Sequence, residues 1–165
     1  MPGGCRDRGG TQVRSAGSAG HRLGLLTALG LALVTVGCAG EIIRSNETAA
    51  IGNVRMVLSA QITHAAMCAG SYAPDFRSLA AKGVIPADFA AGDPPVKAGY
   101  RFRMTAVKAG PDERAGDCGI PYGDFELVAE PAEPGRTGVR YFRARSDATI
   151  HEATRSDFSD AKELR

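Results

Sequence analysis

The sequence has few of the groups from which metal and catalytic centres are built. Its 165 residues include no tryptophan, four cysteines and three histidines. Structural zinc sites draw three or four Cys or His ligands from short spacings. Here Cys68 and Cys118 are far apart, and only His64 and His151 could assist them. The sequence therefore predicts no metal site and no bound cofactor.

A paired nucleophile and base is also missing. Ser59 and His64 are five positions apart on a predicted helix, which places them on different faces, and no acidic residue nearby could orient the histidine. His151 and Glu152 are adjacent on a predicted strand, so their side chains point to opposite faces. The sequence therefore predicts no catalytic residues and a protein that is not an enzyme.

The chain has little excess charge of either sign, with a net charge of +2. The first 38 residues hold four Arg and one Asp, a net of +3, and the remainder is close to neutral at −1. Nucleic-acid binding requires Lys and Arg gathered on one face. Arg140, Arg143 and Arg145 are the one local basic cluster in the sequence, and an exposed strand explains them. We expect no nucleic-acid partner.

An uncharged apolar run near the N-terminus is the most informative positive feature. It covers residues 23–36, follows a basic leader and ends in Gly37-Cys38-Ala39. This order is typical of a bacterial export signal. It divides the chain into a disordered basic leader (1–22), a hydrophobic signal or anchor (23–40) and a domain outside the cytoplasm. We expect a membrane-anchored protein of the bacterial cell envelope, periplasmic or at the cell surface.

Three interpretations of the apolar run stay open. A transmembrane helix needs roughly 17 to 25 apolar residues, which the run barely reaches. Val34-Thr35-Val36-Gly37-Cys38 resembles a lipobox, in which the cysteine is acylated and becomes the mature N-terminus. Cys38 is therefore the candidate lipidation site, and the alternatives are an uncleaved N-terminal anchor and a soluble secreted form.

The two cysteines of the outer domain are expected to pair. Cysteines in an oxidising compartment commonly form disulfides, and Cys68 and Cys118 are the two that follow Cys38. Their bond would close a loop of about 50 residues, which stabilises the fold by roughly 4 kcal/mol in the chain-entropy model. The alternative is a pair of unbonded buried thiols.

Periodicity predicts an α+β domain over residues 41–153, followed by a polar tail (154–165). A helix capped by Ser45 or Asn46 runs to Cys68, with Gly70 at its end. Its predicted apolar stripe includes Ile62 and leaves Gln61 off centre. Alternation then predicts strands at 99–107, 124–130, 139–145 and 148–152. The expected fold is a long N-terminal helix packed on a small antiparallel sheet of three to four strands.

Several local motifs together resemble one protein family. Residues 46–55 follow an Asn-Glu-x-x-Ala-x-Gly-x-x-Arg pattern, residues 99–102 read Gly-Tyr-Arg-Phe, and residues 135–142 read Gly-Arg-Thr-Gly-Val-Arg-Tyr-Phe. In content, order and spacing these segments resemble type IV pilin-like proteins, including pseudopilins of type II secretion. The resemblance covers residues 41–152 and implies the pilin-like helix-on-sheet fold.

The resemblance implies a structural or interaction component of pilus or secretion machinery, with proteins of such machinery as possible partners. Leu29 stands where pilins carry a glutamate that neutralises a neighbouring subunit's N-terminus, and the glycines around Cys38 predict a break in the helix. We therefore expect a tethered head more than a fibre subunit. The alternative is a free-standing lipoprotein that binds a small ligand or partner protein on the sheet face away from the helix.

Overall fold

A computed structural model describes residues 24–110 and 116–164, and for 24–39 it describes the backbone alone. The chain from Ile43 onward forms a compact unit, and it is this unit whose packing is described below. The α-helices are α1 (Gly24–Met67) and α2 (Phe76–Ala81), and short 3-10 helices cover Ala87–Ala90 and Gly116–Cys118. The strands are β1 (Val96–Lys97), β2 (Tyr100–Lys108), β3 (Tyr122–Pro131), β4 (Tyr141–Arg145), β5 (Ile150–Ala153) and β6 (Lys162–Glu163).

Helix α1 is longer than expected and is continuous for 44 residues. The predicted break around Cys38 is wrong, since the backbone stays helical through Gly37 and Gly40. Glycine in a helix costs about 1 kcal/mol relative to alanine but leaves every backbone hydrogen bond available. The predicted cap at Ser45 or Asn46 is also wrong. Both residues lie inside α1, where the preceding turns leave no free amides to cap.

The N-terminal predictions lie outside the residues whose side chains are described. These are the disordered leader (1–22), the signal or anchor (23–40) and lipidation of Cys38. Within residues 40–110 and 116–164, no helix is long and apolar enough to cross a membrane.

The C-terminal end of α1 agrees with the prediction. Ala69 and Gly70 have positive φ angles of 53° and 90°, and the Gly70 amide donates to the Ala65 carbonyl at 2.8 Å. A left-handed residue with this backward bond satisfies carbonyls that the last turn leaves free. The chain then reverses into the segment leading to α2, whose first turn is capped by Asp75 through a 2.7 Å bond from the Ser78 amide.

The sheet is antiparallel, and its strands follow chain order from β1 to β6. The predicted α+β class is confirmed, but the predicted three to four strands are too few. Strands β2 to β5 correspond to the predicted ones, whereas β1 and β6 have two residues each and are too short to show alternation. Strand β6 comes from the segment predicted as a polar tail, and Leu164 beside it packs against the core.

The core lies between one face of α1 and one face of the sheet. Alternate residues of β2 belong to this core, because Tyr100 and Phe102 are fully buried and Met104 packs beside them. Burial of an apolar side chain of this size stabilises a fold by about 1.5–3 kcal/mol. Burial also raises the pKa of Tyr100, with a further contribution from the negative charge of Glu47.

One row of α1, continued by Cys68 directly after its last residue, faces the sheet at seven-residue intervals. Glu47, Val54, Gln61 and Cys68 are each at most 5% exposed, and seven residues are close to two turns of helix. Three of these four side chains are not hydrocarbon. The expectation that Gln61 lies off the buried stripe is wrong, and so is the placement of Ile62 on it, since Ile62 is 58% exposed.

Gln61 is buried because its amide pairs with the backbone of Ala73. The Gln61 Nε2 donates to the Ala73 carbonyl at 3.0 Å, and Oε1 accepts from the Ala73 amide at 2.8 Å. A buried amide that is fully hydrogen-bonded avoids the cost of leaving polar groups without partners. The side chain thereby attaches α1 to the segment that leads into α2.

We expect Gln61→Ala to destabilise the domain by about 2–4 kcal/mol, because it leaves a cavity and two unpaired backbone groups. Ile62→Ala is the matched control on the neighbouring, exposed position and should cost less than about 1 kcal/mol. Urea unfolding of the full chain, followed by the near-UV circular dichroism of its four tyrosines, measures both. Equal losses, or a larger loss for Ile62→Ala, would contradict this assignment of the helix faces.

Candidate functional site

The first cluster of interest lies where α1 meets the loop between β3 and β4. Asn46 Nδ2 donates to the Thr137 carbonyl at 3.0 Å. Glu47 Oε1 accepts from the Val139 and Arg140 amides at 3.0 and 3.1 Å, and its Oε2 accepts from Arg140 Nε at 2.8 Å. We call these five residues the Glu47 cluster. The carboxylate is buried yet fully supplied with donors, as a buried charge requires.

Two glycines give the Glu47 cluster its close approach to β2. Ala98 and Gly99 form the two-residue turn before β2 with φ angles of 48° and 73°, a left-handed pair typical of hairpins. A Cβ on Gly99 would lie 2.8 Å from Asn46 Nδ2, and one on Gly138 would overlap the Tyr100 ring. The Tyr100 hydroxyl in turn donates to the Arg140 carbonyl at 2.8 Å.

Arg140 extends the cluster to the far strands. Its Nη1 donates to Glu152 at 2.7 Å, and Lys162 of β6 lies 3.8 Å from the same carboxylate. Burial disfavours the charged guanidinium, but the hydrogen bonds and charges of Glu47 and Glu152 outweigh it and raise the pKa of Arg140. The cluster therefore joins α1, the β3–β4 loop, β5 and β6.

The arginines predicted as a local basic cluster do not form one surface. Arg140 is bound to two glutamates, Arg145 is paired with Glu126 at 2.7 Å, and the Arg143 guanidinium stacks over the Phe158 ring at 4.6 Å. Each has its own partners, which lie on α1, on the strands and in the β5–β6 connection.

The second cluster lies at the other end of the buried row. The sulfurs of Cys68 and Cys118 are 1.99 Å apart, which is disulfide distance, and close a separation of 50 residues. This agrees with the pairing expected from the sequence. Cys68 is 1% exposed at the end of α1, whereas Cys118 is half-buried in the short 3-10 helix Gly116–Cys118.

His64 adjoins this disulfide, one helical turn before Cys68. It is buried, with 4% of its surface exposed. Its Nδ1 lies 2.9 Å from the Ser71 carbonyl, which can only accept, so in the neutral ring Nδ1 carries the proton. The unprotonated Nε2 then faces Cys68 Sγ at 3.6 Å.

Ligand atoms of His64, Cys68 and Cys118 all lie within 4.8 Å of one another. We call these three residues the His–Cys cluster. Sequence reasoning missed this grouping, although the spacing of His64 and Cys68 by four places them on one helix face. Cys118 comes from a distant loop, and no local pattern places it beside the histidine.

A cleft of about 410 Å³ opens onto the His–Cys cluster. Its walls combine aromatic, aliphatic and charged side chains, and its lining includes His64, Tyr72, Lys82, Asp117, Cys118 and Tyr122. The disulfide is therefore reachable from solvent on the Cys118 side.

The other residues considered for catalysis are not brought together. Ser59 is exposed on α1, away from the buried face that holds His64. Glu152 is bound to Arg140, and its neighbour His151 lies on the opposite face of β5. The prediction that the protein has no catalytic residues stays a prediction.

No family model, curated protein or solved structure matches the chain.

Replacing both Cys68 and Cys118 by alanine should lower the free energy of unfolding by about 4 kcal/mol, since the disulfide restricts the unfolded chain across a long loop. Cys5→Ala, outside the pair, is the control and should leave stability unchanged. Urea unfolding under non-reducing conditions measures the difference. A loss below about 1 kcal/mol would show that the bond contributes little to the fold.

Proposed function

We propose that this chain is a pilin-like, non-enzymatic protein of the bacterial cell envelope. Its N-terminal segment attaches it to the membrane, through a lipid on Cys38 or as an uncleaved anchor, and its domain acts outside the cytoplasm. The role is structural or interactive, in an assembly related to type IV pili or type II secretion. The observation that carries this proposal is the Glu47 cluster.

The Glu47 cluster supports the proposal because the motifs behind the family resemblance contact one another there. Asn46 and Glu47 open the helix motif, and Glu47 bonds to a backbone amide 92 residues away. Tyr100 of the second motif bonds to Arg140 of the third, 40 residues on. If the three motif matches had arisen independently by chance, their residues would not be expected to meet in one hydrogen-bonded cluster. Residues that together specify one local structure are expected to meet in this way.

The N-terminal segment bears on whether the chain builds a fibre. Leu29 stands where the family's glutamate would be. Without that carboxylate, a subunit cannot neutralise the N-terminal amine of its neighbour in a fibre. We therefore propose that the domain is a head on a membrane-attached helix, and that it docks with the machinery and is not a main subunit of the fibre.

The proposal predicts co-purification with pilus or secretion proteins. The full chain, tagged at its C-terminus, is expressed in its source bacterium, crosslinked in intact cells and purified from solubilised membranes for mass spectrometry. We expect components of such machinery to be enriched over a matched sample carrying an unrelated tagged membrane protein. Recovery of the chain only as a lone monomer would contradict the proposal.

The mass of the purified N-terminal peptide identifies the attachment in the same preparation. An acylated Cys38 that is lost in Cys38→Ser, and kept in Cys5→Ser, indicates the lipid-tethered form. A cut after Gly24 indicates pilin-type processing. Neither modification, with release of the chain into the soluble fraction, would exclude both forms of attachment.

A free-standing ligand-binding lipoprotein is the second candidate. The sheet face away from α1, where such a pocket was expected, carries charged side chains such as Arg101 and Arg103, both bound to Glu130. The cleft beside the disulfide is the observation that favours this candidate. It is lined by two tyrosines, a lysine and an aspartate, and small-molecule sites use such convergent polar groups. Native mass spectrometry that detects a bound small molecule on the lone chain would favour it.

A further inference from the structure

We propose that the His–Cys cluster is a redox-controlled site for a divalent cation of the zinc type. With the disulfide formed, both sulfurs are covalently occupied and no site exists. With the disulfide reduced, His64, Cys68 and Cys118 provide one nitrogen and two sulfur ligands. The inference is independent of the pilin-like proposal, since it depends on these three residues alone.

The orientation of His64 is the first support. Histidines that bind metals commonly donate their second ring N–H to a carbonyl or carboxylate, which fixes the ring and directs the free nitrogen at the metal. His64 has this arrangement, with Nδ1 held by the Ser71 carbonyl and Nε2 directed at Cys68 Sγ. In this fold the ring needs no rotation to offer its lone pair.

The ligand set is the second support. Nitrogen and thiolate ligands favour Zn²⁺ over the harder Mg²⁺ and Ca²⁺. All three ligand atoms already lie within 4.8 Å of one another. Because Cys118 and His64 line the cleft, a water molecule from the cleft can supply the fourth ligand.

The required movement falls on Cys118. Zinc–sulfur bonds of about 2.3 Å place two thiolates roughly 3.8 Å apart in a tetrahedral site, so the two sulfurs must separate once the disulfide is reduced. Cys68 is held by the packed end of α1. Cys118 belongs to a short 3-10 helix in the β2–β3 connection, so the opening falls on its side.

The chemistry balances with an external dithiol as reductant. A thiolate of the dithiol attacks Cys118 Sγ, the half-buried sulfur, and the Cys118–Cys68 bond breaks to leave Cys68 as thiolate beside His64. The second thiol of the reductant then displaces Cys118, and the dithiol leaves as its own disulfide. Two electrons and two protons pass to the protein. Zn²⁺ then binds the two thiolates and displaces the two thiol protons to solvent.

The test uses the detergent-solubilised full chain with Cys5→Ser and Cys38→Ser, so that Cys68 and Cys118 are its remaining cysteines. The chain is reduced with a phosphine, desalted anaerobically and titrated with Zn²⁺ against a chromophoric chelator. We expect one Zn²⁺ per chain, bound at least roughly 100-fold more tightly than by the oxidised chain, because oxidation removes both thiolate ligands. Co²⁺ should give a thiolate-to-metal charge-transfer band in the reduced chain alone.

His64→Gln tests the histidine, since an amide can still donate to the Ser71 carbonyl but is a poor zinc ligand. We expect it to weaken zinc binding by roughly 10- to 100-fold, while His151→Gln, outside the cluster, leaves binding unchanged. Zn²⁺ should also raise the melting temperature of the reduced chain, which reports on binding to the folded state. Equal zinc affinity in both redox states, equal affinity in His64→Gln, or a reduced chain that unfolds and is not restored by Zn²⁺ would each overturn the proposal.

Discussion

A single row of helix α1 fixes how the domain from Ile43 onward is assembled. Glu47, Gln61 and Cys68 stand on this row, at multiples of seven residues, and each is attached to a different part of the chain. Seven residues rise about 10.5 Å along a helix, so the attachments are spread along the whole packed face. Hydrophobic burial drives α1 onto the sheet, but burial alone is non-directional. The three attachments specify one register.

The attachments differ in chemistry and in what each would cost if broken. Glu47 is a buried carboxylate, and removing its donors would leave a charge without compensation in the interior. Gln61 reproduces a pair of backbone hydrogen bonds with Ala73. Cys68 is covalently held to Cys118. Arg140 links α1 to strand β5, because its guanidinium is bonded to both Glu47 and Glu152. The same row ends at the His–Cys cluster, so the fold itself positions the candidate metal ligands.

Sequence reasoning predicted the parts that local pattern determines. Alternation located β2 from Tyr100 and Phe102, and the class of fold followed from one helix and a succession of strands. It misplaced the polar members of the row, because Gln61 reads as a surface residue until its partner Ala73 is known. It also placed Asn46 at a helix start, because the glycines around Cys38 predicted a break before it and because its actual partner, Thr137, is 91 residues away in the sequence. It missed the short strands β1 and β6. Each has two residues, which are too few to show an alternating pattern, and each is a strand because it pairs with a longer neighbour.

The central claim is that Glu47 and Arg140 act as a coupled pair that holds α1 to the sheet. A double-mutant cycle of Glu47→Ala and Arg140→Ala, measured by urea unfolding of the full chain, tests it most directly. We expect Glu47→Ala to cost more than Arg140→Ala, because the carboxylate also binds two backbone amides, and a coupling free energy of about 1–3 kcal/mol. The exposed pair of Glu133 and Arg136 is the matched control and should show almost no coupling. A coupling between Glu47 and Arg140 as small as that of the control pair would contradict the claim.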